Sequence, residues 1–453
     1  MQIPVHTFRL DRFDPLQLSL ALYPEGPGFL ESPDGSGRYS IVPLRRSESY
    51  RLDDSGLVRI GSSDGEQPLP GDPFQVLEEI LRRRRIPRRP DGPLFPGGFF
   101  GYLAYDLAGW IEELPRHARR DRNLPHLWLD WVDLAAVYDH RSGCLTLASL
   151  DPADDLEPLE GPIRKALAAP TTEASFACEM LPSPLISQQR FEAMVARAKQ
   201  YIASGDIYQA NLSCRFDGRI TGSTACLYRK LRRVNPSPFA CLLRSPGLEI
   251  ISSSPERLVC LHGEVAEARP IAGTRPRGFT PPEDVELGHE LLGHPKERAE
   301  HVMLLDLERN DLGKVCRAGS VQVDELMVLE RYSHVTHIVS NVRGLLREEV
   351  GPFELIRAMF PGGTITGVPK KRCMEIIEEL EPVGRGSYTG SAGYISATGD
   401  MDLNILIRTF QRFGDELTYQ VGAGIVADSE PEREWHECLA KGMALRKTLE
   451  EQS

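Results

Sequence analysis

The sequence predicts an α+β fold, and three observations lead to this prediction. Residues 1–170 contain short runs of strand-forming residues separated by Gly, Pro and Asp, for example 37–43 and 127–138. Residues 187–450 mix further strands with amphipathic helices. The two kinds of element do not alternate in strict βαβ order, which argues against a doubly wound parallel sheet.

Three regions follow from this pattern. Residues 1–150 form a sheet-rich N-terminal region, and residues 151–186, rich in Pro, Ala, Asp, Glu and Thr, are a connector. Residues 187–450 form the second, larger region. A chain of 453 residues is long enough for two or three such structural units.

Periodicity assigns elements along the chain. It predicts helices over 73–84, 187–204, 283–307, 352–359, 369–379 and 432–450. It predicts strands in the second region over 208–216, 239–243, 249–253, 257–261, 391–396, 403–412 and 417–426.

Composition excludes several classes of protein. The net charge of −12 argues against a nucleic-acid binder, so an anionic ligand would need local cations or a metal. Nine scattered cysteines without a CxxC pair indicate neither a disulfide scaffold nor a zinc site. The N-terminus lacks the apolar segment of a signal peptide, and no stretch of about 20 apolar residues could span a membrane. A cytoplasmic protein is the expectation.

Acidic residues share one face of the predicted helix 283–307. Glu297, Glu300 and His301 lie three or four residues apart, and carboxylates so placed can bind Mg²⁺. The neighbouring Lys296 and Arg298 could instead pair with them on a salt-bridged surface. Spacing alone favours that second interpretation.

A Gly-x-Gly segment, 422–424, precedes the last predicted helix. A turn there would expose backbone N–H groups that can bind a carboxylate. Glu437 and Lys441 follow at a spacing of four, which also describes an ordinary helix-stabilising ion pair. The Gly- and Thr-containing loops 269–278 and 361–372 are further candidate anion sites, with surface loops as the alternative; neither is a P-loop.

Nine segments, taken in order, resemble the chorismate-utilising enzymes. They are 204–212, 252–258, 269–278, 296–315, 331–344, 360–382, 390–396, 405–409 and 422–441. The resemblance is dense over 187–447 and looser over 1–150, where 29–40 and 95–106 also fit. It implies the anthranilate synthase component I-like fold, with two subdomains around packed, mainly antiparallel β-sheets, peripheral helices and an active site in the second half.

The resemblance also implies roles for individual residues. Glu300 and Glu437 would hold Mg²⁺, with Glu297 behind them, and Glu256 would be the general acid that assists departure of the ring hydroxyl. His337 would lie beside the ring. The groups that bind chorismate would be Gly273, Thr274, Thr364, Tyr394, Arg408, Gly422, Ala423, Gly424 and Lys441.

Two positions bear on the reaction. Members of the family that add water have a lysine base where this chain has Gln209, so the resemblance implies an enzyme that aminates chorismate. The loop 360–367 and the chain length favour the aminodeoxychorismate synthase branch. Ala272 favours the anthranilate synthase branch, because some aminodeoxychorismate synthases have a lysine there. The first branch is our expectation and the second the alternative.

Partners follow from the same resemblance. The sequence has no glutaminase nucleophile motif, so ammonia would come from a separate glutamine amidotransferase subunit. A candidate tryptophan pocket comprises Leu30, Glu31, Ser32, Asn235, Pro236, Ser237 and Pro238. An alternative hypothesis is that the chain is a non-catalytic, ligand-binding scaffold for a glutaminase. Such a protein would be expected to lack the acid or a metal ligand, and this sequence has Glu256, Glu300 and Glu437.

Overall fold

The computed structural model describes residues 3–33, 37–61, 65–170, 175–331 and 335–450. Residues 171–174 of the predicted connector and 332–334 of the segment 331–344 lie outside the described residues. The fold is a mixture of helix (32%) and antiparallel sheet (38%), which confirms the predicted α+β class. No helix in the described ranges is both long and apolar enough to cross a membrane.

The helices are α1 Pro15–Leu22, α2 Pro73–Arg83, α3 Glu160–Ala168, α4 Gln188–Ala203, α5 Thr224–Val234, α6 Pro281–Gly293, α7 Pro295–Gly313, α8 Pro352–Met359, α9 Lys370–Leu380 and α10 Pro431–Glu450. The first strands are β1 Val5–Arg9, β2 Gly28–Glu31, β3 Tyr39–Asp53, β4 Gly56–Gly61, β5 Gly65–Leu69, β6 Gly98–Leu103, β7 Leu127–Asp139, β8 Cys144–Ser149 and β9 Phe176–Pro184. The remaining strands are β10 Gln209–Gly222, β11 Phe239–Ser245, β12 Leu248–Ser254, β13 Arg257–His262, β14 Val265–Ala268, β15 Ile271–Pro276, β16 Gln322–Arg331, β17 Val335–Leu345, β18 Gly367–Val368, β19 Ser391–Ser396, β20 Met401–Asn404, β21 Thr409–Phe413 and β22 Glu416–Ile425.

Two series of antiparallel strands extend from the long β3–β7 pair. The first series runs β3–β2–β11–β12–β21–β22–β10–β9. The second runs β7–β6–β19–β20–β13–β14–β17, with β15 and β16 also pairing with β17. Strands of the N-terminal region therefore pair directly with strands of the second region in both series.

Three apolar clusters hold these layers together. One packs helices α4 and α10 on the first series, with Phe191 and Trp435 among its buried rings. A second packs α2, α7 and α8 on the second series, with Phe74 and Phe353 buried. The third joins residues of both series. Burial of each such side chain contributes about 1.5–3 kcal/mol, so the helices are fixed against the sheet that carries the site.

Two of the crossings that the chain makes between the two series lie side by side. Strand β12 ends at Ser254, and Pro255, which has no backbone N–H, precedes β13 of the second series. The return crossing is the 405–408 segment between β20 and β21, which breaks the predicted strand 403–412 in two. Ile405 N donates to the Glu256 carbonyl (2.9 Å), so each crossing supports the other.

The prediction of one continuous helix over 283–307 is wrong. The segment is two helices, α6 and α7, separated at His294. Pro295 cannot donate the hydrogen bond that would continue α6, and it suits the first position of a new helix. The His294 side chain accepts from the Glu297 N–H and so begins α7. The break places Glu297 and Glu300 in the first turns of α7 rather than mid-helix.

The predicted connector contains regular structure. Helix α3 packs against α1, and strand β9 pairs with β10 at the edge of the first series. The segment therefore adds a strand to the sheet of the second region.

Candidate active site

A hydrogen-bonded pair at the start of α7 joins this helix to the first strand series. Gln209, the first residue of β10, donates from Nε2 to Glu300 Oε1 at 2.8 Å. Burial raises the pKa of the Glu300 carboxyl, and the nearby Glu297 raises it further, whereas Gln209 and Lys441 oppose the shift. For Glu300, the interpretation as part of a salt-bridged surface is therefore less well supported than the interpretation as a candidate metal ligand.

The predicted turn at 422–424 is wrong: Gly422, Ala423 and Gly424 lie inside β22 and pair with β10. Neither glycine has a positive φ. Their lack of a side chain serves close packing instead, because a Cβ on Gly424 would lie 2.4 Å from Gln209 Nε2. Because residues 422–424 pair with β10 in the sheet, they do not form the predicted turn with free N–H groups.

Helix α10 places the ammonium group of Lys441 over strand β22. Lys441 Nζ donates to the Gly422 carbonyl at 3.0 Å and lies 2.8 Å from Glu437 Oε1. Both side chains are about half exposed, at 49% and 50%, so this pair can exchange partners with a ligand. Lys441 also acts electrostatically on the Glu300 and Glu256 carboxyl groups. The two predicted metal ligands therefore share one cation between α7 and α10.

Glu434 belongs to this region and is absent from the sequence prediction. Burial raises the pKa of its carboxyl and Glu437 adds to the shift, while Ser429 and Lys296 of α7 oppose it. Glu434 and Glu437 repeat on α10 the three-residue spacing of Glu297 and Glu300 on α7. That repeated Glu-x-x-Glu spacing is the signal that could have identified Glu434.

These acids fit a hard divalent cation. Carboxylate oxygens suit Mg²⁺, which typically takes one or two carboxylates and fills its remaining positions with water or substrate oxygens. Within the described ranges, no three His, Cys, Asp or Glu side chains converge into a ready-made metal cluster. Burial raises the pKa of Glu300 and of Glu434, and a neighbouring carboxylate, Glu297 and Glu437 respectively, raises each further, so a cation nearby would stabilise the ionised forms. The arrangement can therefore support a cation site formed by two carboxylates and completed by a ligand.

Glu256 lies at the crossing between β12 and β13, with its side chain buried. Burial raises the pKa of this carboxyl to about 7, whereas Thr364, Arg408, the Ile271 backbone and Lys441 lower it. A carboxyl group with this pKa is half protonated near neutral pH, as a general acid requires. This raised pKa is compatible with the general-acid role that the family resemblance implies for Glu256, which stays a prediction.

Arg408 lies at the return crossing and has a positive φ of 52°. Its carbonyl accepts from the Ser253 N–H at 3.2 Å, next to the crossing that carries Glu256. A non-glycine residue in this backbone region is uncommon and requires support from its surroundings. Arg408 directly precedes β21, and its side chain is a cation within electrostatic reach of Glu256.

His337 and Thr274 face each other across the β15–β17 pair. Thr274 Oγ1 lies 2.9 Å from His337 Nδ1, which is also 3.4 Å from the Gly273 carbonyl. Burial, with Arg408, lowers the pKa of His337 to about 4, so the imidazole is neutral at neutral pH. Gly273 has a φ of +72° at a bulge, and a Cβ there would lie 3.1 Å from Glu297 Oε2. Ala272, in the same strand, supplies no nucleophile.

We call the region around Glu256, Glu300 and Lys441 the cleft. Tyr394 lies apart from it. Its ring packs on Phe95 (centroids 5.1 Å apart) and lines a cavity of about 1400 Å³ with Leu30, Glu31 and Ser32. Tyr388, six residues earlier, lies instead at the cleft, since a Cβ on Gly422 would be 3.0 Å from its hydroxyl. The structure therefore groups Tyr394 with the predicted tryptophan pocket and brings in a tyrosine that the sequence prediction missed.

Of the other members of that predicted pocket, Pro238 also lines the cavity, whereas Asn235, Pro236 and Ser237 are not among its lining residues. Ser32 Oγ donates to the Pro238 carbonyl at 2.7 Å. Asn235 Nδ2 reaches Ser237 Oγ at 3.4 Å, and Pro236 lies between these two residues in the chain. The Glu31 carboxylate is already paired within the chain.

That pairing of Glu31 involves two groups of α5. Arg232 Nη1 lies 3.0 Å from Glu31 Oε1, and the Tyr228 hydroxyl donates to Glu31 Oε2. Burial raises the pKa of Glu31 while Arg232 and Tyr228 oppose the shift. A ligand ammonium would have to share this carboxylate with an internal cation.

Comparison with known proteins identifies the family of the chain. A family model described as chorismate binding enzyme matches residues 39–447. The chain is 43% identical to aminodeoxychorismate synthase component 1 of Bacillus subtilis (93% of this chain, 91% of the relative). It is 41% identical to anthranilate synthase component 1 of Thermus thermophilus (98% and 97%). The crystal structure of anthranilate synthase component I from Streptococcus pneumoniae superposes with a TM-score of 0.80 at 32% identity, covering 96% of this chain and 98% of that one. The chain belongs to the chorismate binding enzymes and is a chorismate-utilising enzyme of the anthranilate synthase and aminodeoxychorismate synthase type.

Proposed function

We propose that this chain is the synthase subunit that aminates chorismate to 4-amino-4-deoxychorismate, using ammonia from a separate glutamine amidotransferase subunit. The observation that carries amination is Gln209. Its amide donates to Glu300 and is almost fully buried, and its Oε1 accepts no hydrogen bond from the residues that the structure describes. An amide cannot take a proton from water, but its free oxygen can accept an N–H from neutral ammonia.

The proposed substrate is a dianion, and this acidic chain offers local cations for it. Arg408 and Lys441 both act on the Glu256 carboxyl, so both lie close to the proposed acid. They would pair with the two substrate carboxylates. Glu300 and Glu437 would hold Mg²⁺, which when bound neutralises a substrate carboxylate and withdraws charge from the ring.

Proton transfer falls to Glu256. The ring hydroxyl leaves as water after receiving the Glu256 proton, because hydroxide is a poor leaving group. The ammonia nitrogen, oriented by Gln209, forms the new C–N bond. The resulting ammonium group then loses one proton, which the Glu256 carboxylate can take back. Chorismate and ammonia thus give the aminated ring and water, with Glu256 returned to its protonated form.

Anthranilate is the alternative product, and Ala272 favours it. The family resemblance associates a lysine at this position with amination at C4, and alanine provides no such nucleophile. The loop 360–367 favours the aminodeoxychorismate branch instead, the branch to which the Bacillus subtilis relative belongs by name.

Product identification tests the proposal. The isolated chain is incubated with chorismate, Mg²⁺ and ammonium salt, with and without aminodeoxychorismate lyase. We expect chorismate consumption in both reactions and 4-aminobenzoate only with the lyase. Fluorescent anthranilate formed without the lyase would identify the alternative activity. No consumption of chorismate at high ammonium concentration would refute amination altogether.

The pH dependence of turnover follows from Glu256. The active acid is protonated, and with a pKa of about 7 its protonated fraction falls roughly tenfold per pH unit well above neutrality. At saturating chorismate, with free ammonia held constant by adjusting the ammonium salt, we expect kcat to decline above about pH 7. A kcat–pH profile measures this. A kcat that still rises towards pH 9 at constant free ammonia would exclude Glu256 as the acid.

Gly424→Ala tests the Gln209 site. The new Cβ would lie 2.4 Å from Gln209 Nε2 and displace this side chain from Glu300. We expect kcat/KM for ammonia to fall about tenfold, the cost of one hydrogen bond in the site. We expect a smaller effect on Tm, because the new Cβ meets the far end of the Gln209 side chain and not backbone. Gly161→Ala is the matched control, since its Cβ would meet open space. Unchanged ammonia kinetics would remove Gln209 from the mechanism.

A further inference from the structure

Arg385 lies between α9 and β19 and is almost fully buried, and the proposed function gives it no role so far. A guanidinium group has five N–H donors in one plane. Two of them bind Glu381: Nε donates to Oε2 at 3.0 Å and Nη2 to Oε1 at 2.7 Å. Three donors are therefore left for other partners, and each of them has one.

The three remaining donors of Arg385 reach three different segments of the chain. Nη2 donates to the Asn211 carbonyl of β10 at 2.7 Å. Nη1 donates to the Ile365 carbonyl at 2.8 Å and to the Thr389 hydroxyl at 3.2 Å. Ile365 ends the single 3₁₀ turn Gly363–Ile365, and Thr389 precedes β19. One side chain therefore joins β10, the 363–365 turn and the segment before β19.

Two of these segments carry residues assigned above to the site, close to the guanidinium contacts. Gln209 lies two residues before Asn211 on β10, so their side chains lie on the same face of that strand. Thr364 is the central residue of the turn. The Asn211 N–H also donates to the Thr366 carbonyl at 2.9 Å, so the strand is bonded directly to the residue that follows the turn.

The third segment leads to Arg408. The Thr389 N–H donates to the Leu406 carbonyl, and the Leu406 N–H donates to the Gly390 carbonyl, both at 2.8 Å. These two bonds hold the return crossing 405–408 against the segment before β19, two residues from Arg408. Thr389 has a positive φ of 60°, which a residue other than glycine rarely adopts without support from its surroundings. The guanidinium contact to its hydroxyl is part of that support.

The Arg385–Glu381 ion pair is held in one arrangement. The two side chains are 1% and 2% exposed. Glu381 Oε1 also accepts from the Ser213 N–H at 2.9 Å and from the Ser213 hydroxyl at 2.7 Å, so this carboxylate is bound to β10 as well. Breaking such a pair would leave a buried charge without a partner, which is strongly destabilising. The contacts of the guanidinium are therefore fixed in place.

We propose that Arg385 is a positioning residue: its guanidinium fixes the proposed ammonia site at Gln209 relative to Thr364 and Arg408, the groups predicted to bind chorismate. Its five donors are all engaged within the chain, so Arg385 itself contacts neither reactant. The proposal rests on the proposed function, which requires that ammonia and a ring carbon of chorismate meet at bonding distance. A misplacement of about 1 Å between bound reactants can cost about a hundredfold in rate.

Arg385→Lys tests this role. Lysine keeps the positive charge beside Glu381, but its ammonium group has three donors and lacks the planar fork that reaches three segments. We expect kcat to fall about a hundredfold. We expect KM for chorismate and for ammonia to change less than about threefold, because each reactant still meets its own groups and only their separation changes. Rates of chorismate depletion, measured well below Tm, give these constants.

Arg215→Lys is the matched control. Arg215 lies on β10, is 6% exposed and also pairs with carboxylates: Nη1 donates to Asp121 Oδ1 and Nε lies near Asp217 Oδ1, each at 2.9 Å. Among the described residues, its side chain bonds neither the 363–365 turn nor the segment before β19. We expect Arg215→Lys to lower Tm, because a buried bidentate pair is lost, and to keep the native kcat.

Thr389→Val is a milder variant that leaves the Arg385–Glu381 pair intact. Valine has nearly the same shape as threonine but lacks the hydroxyl that accepts from Nη1. We expect kcat to fall about fivefold, the effect of one hydrogen bond. This variant decides the matter if Arg385→Lys does not fold.

Amide hydrogen exchange tests this role without turnover. The Asn211 and Thr389 N–H groups form bonds between the segments that Arg385 joins. We expect both amides to exchange at least about tenfold faster in Arg385→Lys than in the native chain, and at the native rate in Arg215→Lys. If the native chain consumes no chorismate but exchange differs in this way, the proposed function fails and the joining of the three segments by Arg385 stands.

Three outcomes would overturn the role of Arg385. They are an Arg385→Lys enzyme with native kcat, an Arg215→Lys enzyme that loses as much kcat as Arg385→Lys, and exchange rates at Asn211 and Thr389 that Arg385→Lys leaves unchanged. If Arg385→Lys does not fold, a Thr389→Val enzyme with native kcat overturns the role instead.

Discussion

Glu256→Gln is expected to lower kcat by about a thousandfold, because general acid catalysis contributes about 10²–10⁴ to a rate and glutamine cannot supply the proton. The side chain is buried beside Thr364 and within reach of Arg408, so glutamine fills the same volume. The measurement is the rate of chorismate depletion at pH 7 with saturating ammonium and Mg²⁺.

Glu286→Gln is the matched control for this substitution. Glu286 is exposed on α6, so the control should keep the native rate and pH profile. A Glu256→Gln enzyme that retains more than about a tenth of the native kcat would show that another group protonates the leaving hydroxyl.

Glu300→Gln is expected to abolish measurable turnover and to weaken Mg²⁺ binding at least about a hundredfold. Losing a group that merely supports a metal ligand costs about 10–100-fold, and Glu300 is proposed to bind the ion directly. Calorimetric titration with Mg²⁺ in the presence of chorismate measures the affinity, and depletion assays over a range of Mg²⁺ concentrations measure the rate.

Glu434→Gln is the graded comparison, since its carboxyl shares the same region through Glu437 and Lys296. We expect a smaller loss, which added Mg²⁺ partly restores. Native Mg²⁺ affinity in the Glu300→Gln enzyme would contradict the assignment of Glu300 as a ligand.

Much of the fold could be predicted because local patterns decide it. Alternating and helical periodicity located most elements of the second region to within a few residues, for example β19 at 391–396 and α10 at 431–450. The errors lie where a tertiary requirement overrides local pattern. The apolar run 403–412 looks like one strand, but the chain must cross between two strand series at Arg408.

The site was predictable mainly through the family resemblance, and its errors have physical reasons. Gly422 and Gly424 suggested a turn, because glycine is common in turns; here they allow Tyr388 and Gln209 to pack closely on a strand. Tyr388 and Tyr394 are indistinguishable by composition, but Tyr388 precedes β19 and lies beside Gly422, whereas Tyr394 lies within β19 and lines the large cavity.

The most direct test of the central claim is to locate the metal. A crystal of the chain soaked with Mn²⁺ in place of Mg²⁺ gives an anomalous signal at the ion. The account predicts one peak between the Glu300 and Glu437 carboxylates, with Lys441 released from Glu437 and Glu256 facing the same cleft. A peak at other residues, or no peak while Glu437 stays bound to Lys441, would contradict it.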